Sequence, residues 1–167
     1  MLYSTSLLAL VGAGQQASLS PRRLQLFNTS EQKVICELSF LSTILNVLLT
    51  RKRLVVVLET KIHLFDISTM KVVRTIETMS NKKGICALVE AESDGNYFSY
   101  LAYPYGSERD QVGDVMVCDA INPRPLNVVK AHKGPLSAIQ FNSDGTLLAT
   151  ASNKGTVIRL FSLPSTN

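Results

Sequence analysis

The chain has 167 residues, of which 46% are hydrophobic and 18% charged, with a formal net charge of +4. That length accommodates one ordinary domain with a sizeable core, and the composition excludes a disordered chain. The longest apolar runs, Ser6–Gly12 and Leu54–Leu58, are strand-sized, far short of the roughly 18 residues a membrane-spanning helix needs.

At the N-terminus, Met1-Leu2-Tyr3 leads into the apolar stretch Leu7–Val11 and then small residues, which superficially resembles a secretory signal. No basic segment precedes the apolar stretch, and the same residues suit a buried strand. The rest of the chain shows almost no i, i+3, i+4 periodicity; short β-branched and aliphatic runs alternate with turn residues. Strands are expected at Ser6–Val11, Arg23–Asn28, Val34–Phe40, Ile44–Leu49, Leu54–Glu59, Lys61–Asp66, Val72–Glu77, Ile85–Glu90, Tyr97–Ala102, Asp114–Asp119, Leu126–Lys130, Leu136–Asn142, Leu147–Ser152 and Thr156–Ser162. Turns fall at Ser68-Thr69-Met70, Asp94-Gly95-Asn96, Ser143-Asp144-Gly145 and Asn153-Lys154-Gly155, where the turn-forming residues cluster.

Four segments share one kind of ending: Leu24–Phe27, Ile62–Asp66, Val115–Asp119 and Val157–Phe161. They recur at about 40 to 50 residues, the period of a four-stranded propeller blade. The fold class expected is therefore all-β, a partial WD40-type propeller of about four blade-like units, near residues 1–41, 42–80, 81–130 and 131–167. The last unit is the most diagnostic. It places Ala131-His132, an alternating strand, Ser143–Thr146, Leu147–Ser152 and Gly155–Phe161 in the order of a WD40 blade, with Ala131 where glycine is usual and Leu160-Phe161 where Trp-Asp would stand. The chain has no tryptophan. In an ordinary blade His132 would join a buried hydrogen-bonded network with a hydroxyl, an Asp and that Trp; without the Trp it is more open to a ligand.

The three cysteines, Cys36, Cys86 and Cys118, are far apart in apolar strand-like contexts and suggest neither a disulfide framework nor a zinc site, but reduced core residues of an intracellular protein. Arg22-Arg23, Arg51-Lys52-Arg53 and Lys82-Lys83 concentrate the positive charge. Such clusters meet anionic lipid or an acidic partner, or more commonly are solvated turn charges. They lack the interleaved aromatics of a nucleic-acid surface, so no nucleic acid is expected. An enzyme is not indicated either. Ser152, His132 and Asp144 make a Ser/His/Asp set on paper only, with no nucleophile-elbow sequence, and Gly12-Ala13-Gly14 is too short for a phosphate loop.

Met1–Gly12, Ser20–Leu24, Ile35–Leu38, Lys52–Glu59, Thr75–Thr78, Tyr100–Pro104 and the last unit together resemble the PROPPIN family, the phosphoinositide-binding β-propellers of autophagy that include the WIPI proteins. Ser20–Leu24 and Lys52–Glu59 most resemble its fungal autophagy members. The resemblance implies a non-catalytic, seven-bladed propeller with no cofactor, cytoplasmic and peripheral on preautophagosomal, vacuolar and endosomal membranes. It also implies recognition of phosphatidylinositol 3-phosphate and 3,5-bisphosphate through two neighbouring basic pockets, and partnership with other autophagy proteins. Carried over by position, the first pocket draws on His132, Thr150, Ser152, Gly155, Thr156 and Arg159. The chemistry suits phosphate: two hydroxyls and a glycine amide donate, Arg159 supplies a charged fork, and His132 adds a donor that strengthens on protonation. Each also has an ordinary structural use in strand, turn or rim ion pair.

The family's Phe or Leu followed by Arg-Arg-Gly would come shortly after Phe161, and the 167 residues do not contain it; Arg22-Arg23 is followed by Leu24. The first blade and about three later ones, with the membrane-inserting loop of the sixth, are likewise expected to lie outside this sequence. Weak or absent lipid binding is therefore expected of this chain alone. The alternative reading is a protein-interaction module whose partner surface is the groove between the second and third units, near Lys71–Arg74, Lys82 and Lys83, a region family members use for partners.

Overall fold

The computed structural model describes residues 6–14, 19–93, 95–106 and 113–163. Among them fourteen strands form four antiparallel sheets, and within each sheet neighbouring strands are consecutive in the chain. The first sheet holds β1 (Leu7–Val11), β2 (Arg23–Asn28) and β3 (Lys33–Ser39). The second holds β4 (Asn46–Leu49), β5 (Arg53–Val57), β6 (Lys61–Asp66) and β7 (Val72–Glu77). The third holds β8 (Ala87–Ser93), β9 (Asn96–Tyr105), β10 (Gly113–Asp119) and β11 (Arg124–His132); the fourth holds β12 (Leu136–Phe141), β13 (Leu147–Ser152) and β14 (Ile158–Ser162). The apolar stretch near the N-terminus is strand β1, paired with β2 from Leu7↔Asn28 to Val11↔Leu24.

The sheets stack face to face, and the two-residue period of a strand explains how. On β5, Leu54 and Val56 enter the cluster shared with the first sheet, whereas Val55 and Val57 enter the cluster shared with the third. On β10, Met116 and Cys118 face the second sheet while Val115 and Val117 face the fourth. A strand covered on both faces must be apolar at successive positions, which is why Leu54–Leu58 is a continuous run. Each of its five residues is no more than 4% exposed. Burial of one such side chain is worth about 1.5–3 kcal/mol. The first strands lie side by side: β8 packs against β4 and against β12. Strand β14 differs among the described residues. Ile158 and Leu160 on β14 are 74% and 67% exposed, whereas Ile62 and Leu64, which hold the matching places on β6, are 0% exposed.

The common strand ending has a local cause. Asn28, Asp66 and Asp119 each close a strand, and one side-chain oxygen of each accepts from backbone amides two and three residues on. The turn into the next strand is thereby capped. Register corrects one assignment: Leu54↔Phe65 and Arg53↔Asp66 in the second sheet correspond to Leu148↔Phe161 and Leu147↔Ser162 in the fourth. Phe161-Ser162, not Leu160-Phe161, therefore occupies the Trp-Asp place. Strand β9 also runs past Ala102, where the sequence suggested an end, through Pro104 to Tyr105. Pro104 is tolerated because β8 begins opposite Ala102 and only the β10 side is paired at Pro104.

Gly95, Gly145 and Gly155, at three expected turns, have positive φ, as does Met70 at the fourth; Asp94 lies outside the described residues. Cys86 and Cys118 are buried and Cys36 half-buried, all free thiols. Burial pushes both buried thiols up from the usual range. No helix among the described residues is long and apolar enough to cross a membrane, and none of their His, Cys, Asp and Glu side chains group as a metal site.

Candidate functional site

His132 belongs to the third sheet. β11 continues past Lys130 to His132, which pairs with Gly113 at the start of β10. A Cβ on Gly113 would stand 2.3 Å from the Gly134 carbonyl oxygen and 2.6 Å from the His132 Cβ, so glycine is what allows the chain to close here. From this position the imidazole crosses to the fourth sheet, where His132 Nε2 and Thr150 Oγ1 share a 3.0 Å hydrogen bond. Thr150 is 1% exposed, and its hydroxyl is occupied by the ring, so it orients His132. Arg159 faces Thr150 across the β13–β14 ladder, and its Nη1 donates to the Ala131 carbonyl.

Three of the six expected residues, His132, Thr150 and Arg159, thus meet at the boundary between the third and fourth sheets. Ser152 lies two residues further along β13, opposite Leu136, and its carbonyl accepts from the Gly155 amide at 3.0 Å. Gly155, at φ +70, and Thr156 form the exposed turn into β14. The ensemble offers a half-buried imidazole, an exposed guanidinium with donors to spare and a polar turn, a donor set suited to an anion. Sequence reasoning missed Gly113; its signal was a lone glycine at a strand start, which marks a bulge or a close approach, and the ladder does shift register there.

The ordinary blade network is present in part, because the His132–Thr150 bond forms without the Trp. Asp144 is elsewhere: its carboxylate accepts from the Thr146 amide at 3.0 Å and hydroxyl at 2.6 Å, which holds it below the usual carboxylate range. It precedes β13, at the opposite end of that strand from Ser152, so the Ser/His/Asp set is not assembled.

The basic clusters divide. Arg53 is an internal fastener, 8% exposed. Its guanidinium donates to the Ala120 and Ile121 carbonyls at 2.7 and 2.6 Å, and to Asp66 and the Lys52 carbonyl at 2.9 and 3.1 Å. Arg51 pairs with Glu90 across the same sheet boundary at 3.5 Å, and the Lys52 ammonium sits 4.3 Å from the Tyr97 ring centre. Neither surface role expected for this cluster describes Arg53. Arg23 pairs with Glu37 at 3.4 Å. Arg74 lies on the outer strand β7 and lines a groove between the second and third sheets. Lys82 and Lys83 are exposed in the turn that follows, which is fixed by the Asn81 side chain bonding both backbone groups of Ile85 at 2.9 Å.

Stacked antiparallel meanders of three or four strands with their first strands side by side, and a retained blade histidine bonded to a strand hydroxyl, define a section of a WD-repeat β-propeller. The family model PROPPIN matches residues 1–167. Autophagy-related protein 18 of Yarrowia lipolytica is 48% identical over 98% of this chain and 44% of its own length. The protein of the same name from Aspergillus terreus is 46% identical over 98% of this chain and 42% of its own. Among solved structures, the complex of KlAtg21 with the coiled coil of AgAtg16 superposes with a TM-score of 0.82 at 34% identity, covering 100% of this chain and 51% of that one. Kluyveromyces lactis Hsv2, at 21% identity and a TM-score of 0.74 over 97% of this chain and 46% of its own, shares the fold. The chain belongs to the PROPPIN family, whose members are non-catalytic β-propellers, and it spans less than half the length of these two curated relatives.

Proposed function

We propose that the chain contributes one wall of a phosphoinositide pocket to a membrane-recruited scaffold of autophagy, reading phosphatidylinositol 3-phosphate and 3,5-bisphosphate on preautophagosomal, vacuolar and endosomal membranes. The observation that carries this reading is the convergence of His132, Thr150 and Arg159. Family membership and the names of the relatives support the setting. Without the Arg-Arg-Gly motif in the sequence, the chain alone holds lipid weakly. Titration of the ¹⁵N-labelled chain with inositol 1,3-bisphosphate tests the pocket: amide shifts should cluster at Thr150, Gly155 and Thr156 and vanish in Arg159→Ala, whereas shifts elsewhere would refute it. Robust, lipid-specific flotation of the 167-residue chain with phosphatidylinositol 3-phosphate liposomes would overturn the weak-binding part.

A second reading, protein partnership through Arg74, Lys82 and Lys83, is favoured by the groove that Arg74 lines and by a structural neighbour solved with a coiled-coil partner. Under it, reversing the charges of Arg74 and Lys83 abolishes capture of an autophagy partner while Arg159→Ala leaves it intact.

A further inference from the structure

Net charge is unevenly placed along this chain. Residues 1–119 hold twelve Lys and Arg against twelve Asp and Glu, whereas residues 120–167 hold five against one, so the whole formal charge of +4 lies in the later part. Strand β11 runs through that part as the outer strand of the third sheet. Arg124 to Val128 and Lys130 are exposed on it, with Leu126 at 39% and Val128 at 37%. The outer strands of the first two sheets, β3 and β7, carry Glu37 and Glu77, whereas β11 carries no carboxylate. The carboxylates beside it on β10 are Asp114, opposite Lys130 in the ladder, and Asp119, 3.7 Å from Arg124.

This strand leads straight into the candidate anion site. Lys130 precedes His132 by two residues, and the exposed Lys133 follows it. The Asn153 amide donates to the Pro135 carbonyl at 2.9 Å, which brings the turn of the exposed Lys154 beside the same linker. Exposed aliphatic side chains between cations suit the boundary of an anionic bilayer, where acyl chains cover the one and lipid phosphates meet the other. A protein strand added to this edge fits worse. Pro123 and Pro125 have no amide hydrogen to donate, and Leu126 is the unpaired residue of a bulge between Asn127↔Val117 and Pro125↔Cys118.

We propose that β11 and the linker after it form a separate membrane contact, selective for negative charge rather than for a phosphoinositide headgroup. In it Leu126 and Val128 enter the interface while Lys130, Lys133 and Lys154 face lipid phosphates. The contact goes beyond the pocket reading and acts without it. Each lysine near such a surface is worth about fivefold in binding, and salt screens the attraction over about 10 Å at roughly 0.1 M.

The test is flotation of the whole 167-residue chain with vesicles of phosphatidylserine and phosphatidylcholine in equal parts, with no phosphoinositide present. The chain floats with these vesicles at about 50 mM salt, stays behind with pure phosphatidylcholine, and is released at about 500 mM. Lys130→Glu combined with Lys133→Glu weakens binding at least about tenfold, whereas Lys33→Glu on β3 leaves it unchanged; circular dichroism checks that each variant keeps the fold. Because the chain has no tryptophan, Val128→Trp gives a single probe, whose emission shifts to the blue on anionic vesicles and is quenched by brominated acyl chains. The emission of Val34→Trp, at a position also exposed but on β3, does neither. Absence of flotation, equal flotation with pure phosphatidylcholine, indifference to the lysine pair, or equal quenching of the two tryptophan variants overturns the proposal. Since no phosphoinositide is used, failure here leaves the pocket reading standing, and failure of the inositol phosphate titration leaves this contact standing.

Discussion

Replacing Arg53 tests whether a buried guanidinium fastens neighbouring sheets. Arg53→Met keeps most of the aliphatic stem and removes the donors to the Ala120 and Ile121 carbonyls, to Asp66 and to the Lys52 carbonyl. A buried acceptor left unsatisfied costs about 1–3 kcal/mol, and removing one partner of a buried ion pair about 3–5 kcal/mol. Ala120 is 0% exposed, so its carbonyl is far from water, whereas the Asp66 side chain is 32% exposed and keeps its bonds from Ser68 and Thr69. The Asp66 part of the loss is therefore small, and the two carbonyls dominate. The expected cost is about 3–4 kcal/mol, which in a chain of this size lowers Tm by roughly 6–16 °C. Urea unfolding followed by circular dichroism measures it, with Arg124→Met as the comparison. The Arg124–Asp119 pair at 3.7 Å involves a side chain 68% exposed, and its loss is worth less than about 1 kcal/mol. Equal destabilisation by the two variants would refute the fastening role.

Thr150→Val keeps the volume of a side chain 1% exposed but leaves His132 without its hydroxyl partner; urea unfolding should show a loss of about 1–2 kcal/mol. Gly155→Ala and Gly145→Ala both place a side chain at φ +70, but a Cβ at Gly155 meets nothing within 4 Å whereas one at Gly145 stands 3.0 Å from Phe98. The first should cost about 1–2 kcal/mol, the price of the left-handed conformation, and the second more; equal values would argue against the contact. Asp66 is held at about 2, below its ordinary 3.8, chiefly by the Ser68 hydroxyl and then the Thr69 amide, with smaller help from the Thr69 hydroxyl and Arg53. A depressed carboxylate stabilises the fold above the unfolded value, and this contribution is lost as pH falls from about 3.8 to about 2. Ser68→Ala should raise the carboxyl titration seen by NMR and flatten that acid limb of stability.

The fold was readable because each strand carries its own evidence. The endings at Phe27-Asn28, Phe65-Asp66 and Cys118-Asp119 combine an apolar residue with a polar one that caps a turn, the latter a purely local requirement. The glycines at 95, 145 and 155 mark turns for an equally local reason, their positive φ. The candidate site was readable in part. His132, Thr150 and Arg159 do converge, whereas Ser152, Gly155 and Thr156 shape the adjoining turn rather than share its hydrogen bonds.

What the amino-acid order determined by itself was whatever depends on neighbours along the chain: the strand period, the turn chemistry and the blade repeat. Tertiary structure alone decided which of several chemically similar residues were buried. Arg51-Lys52-Arg53 is one basic run in the sequence, yet Arg53 is 8% exposed and bonds the third sheet, because the pleat turns it toward the Ala120–Ile121 turn. Gly113 gained its role only when Gly134 and His132 came to lie against it. The groove beneath Arg74 exists only where two sheets meet, since its walls come from strands some forty residues apart and no local pattern encodes their juxtaposition.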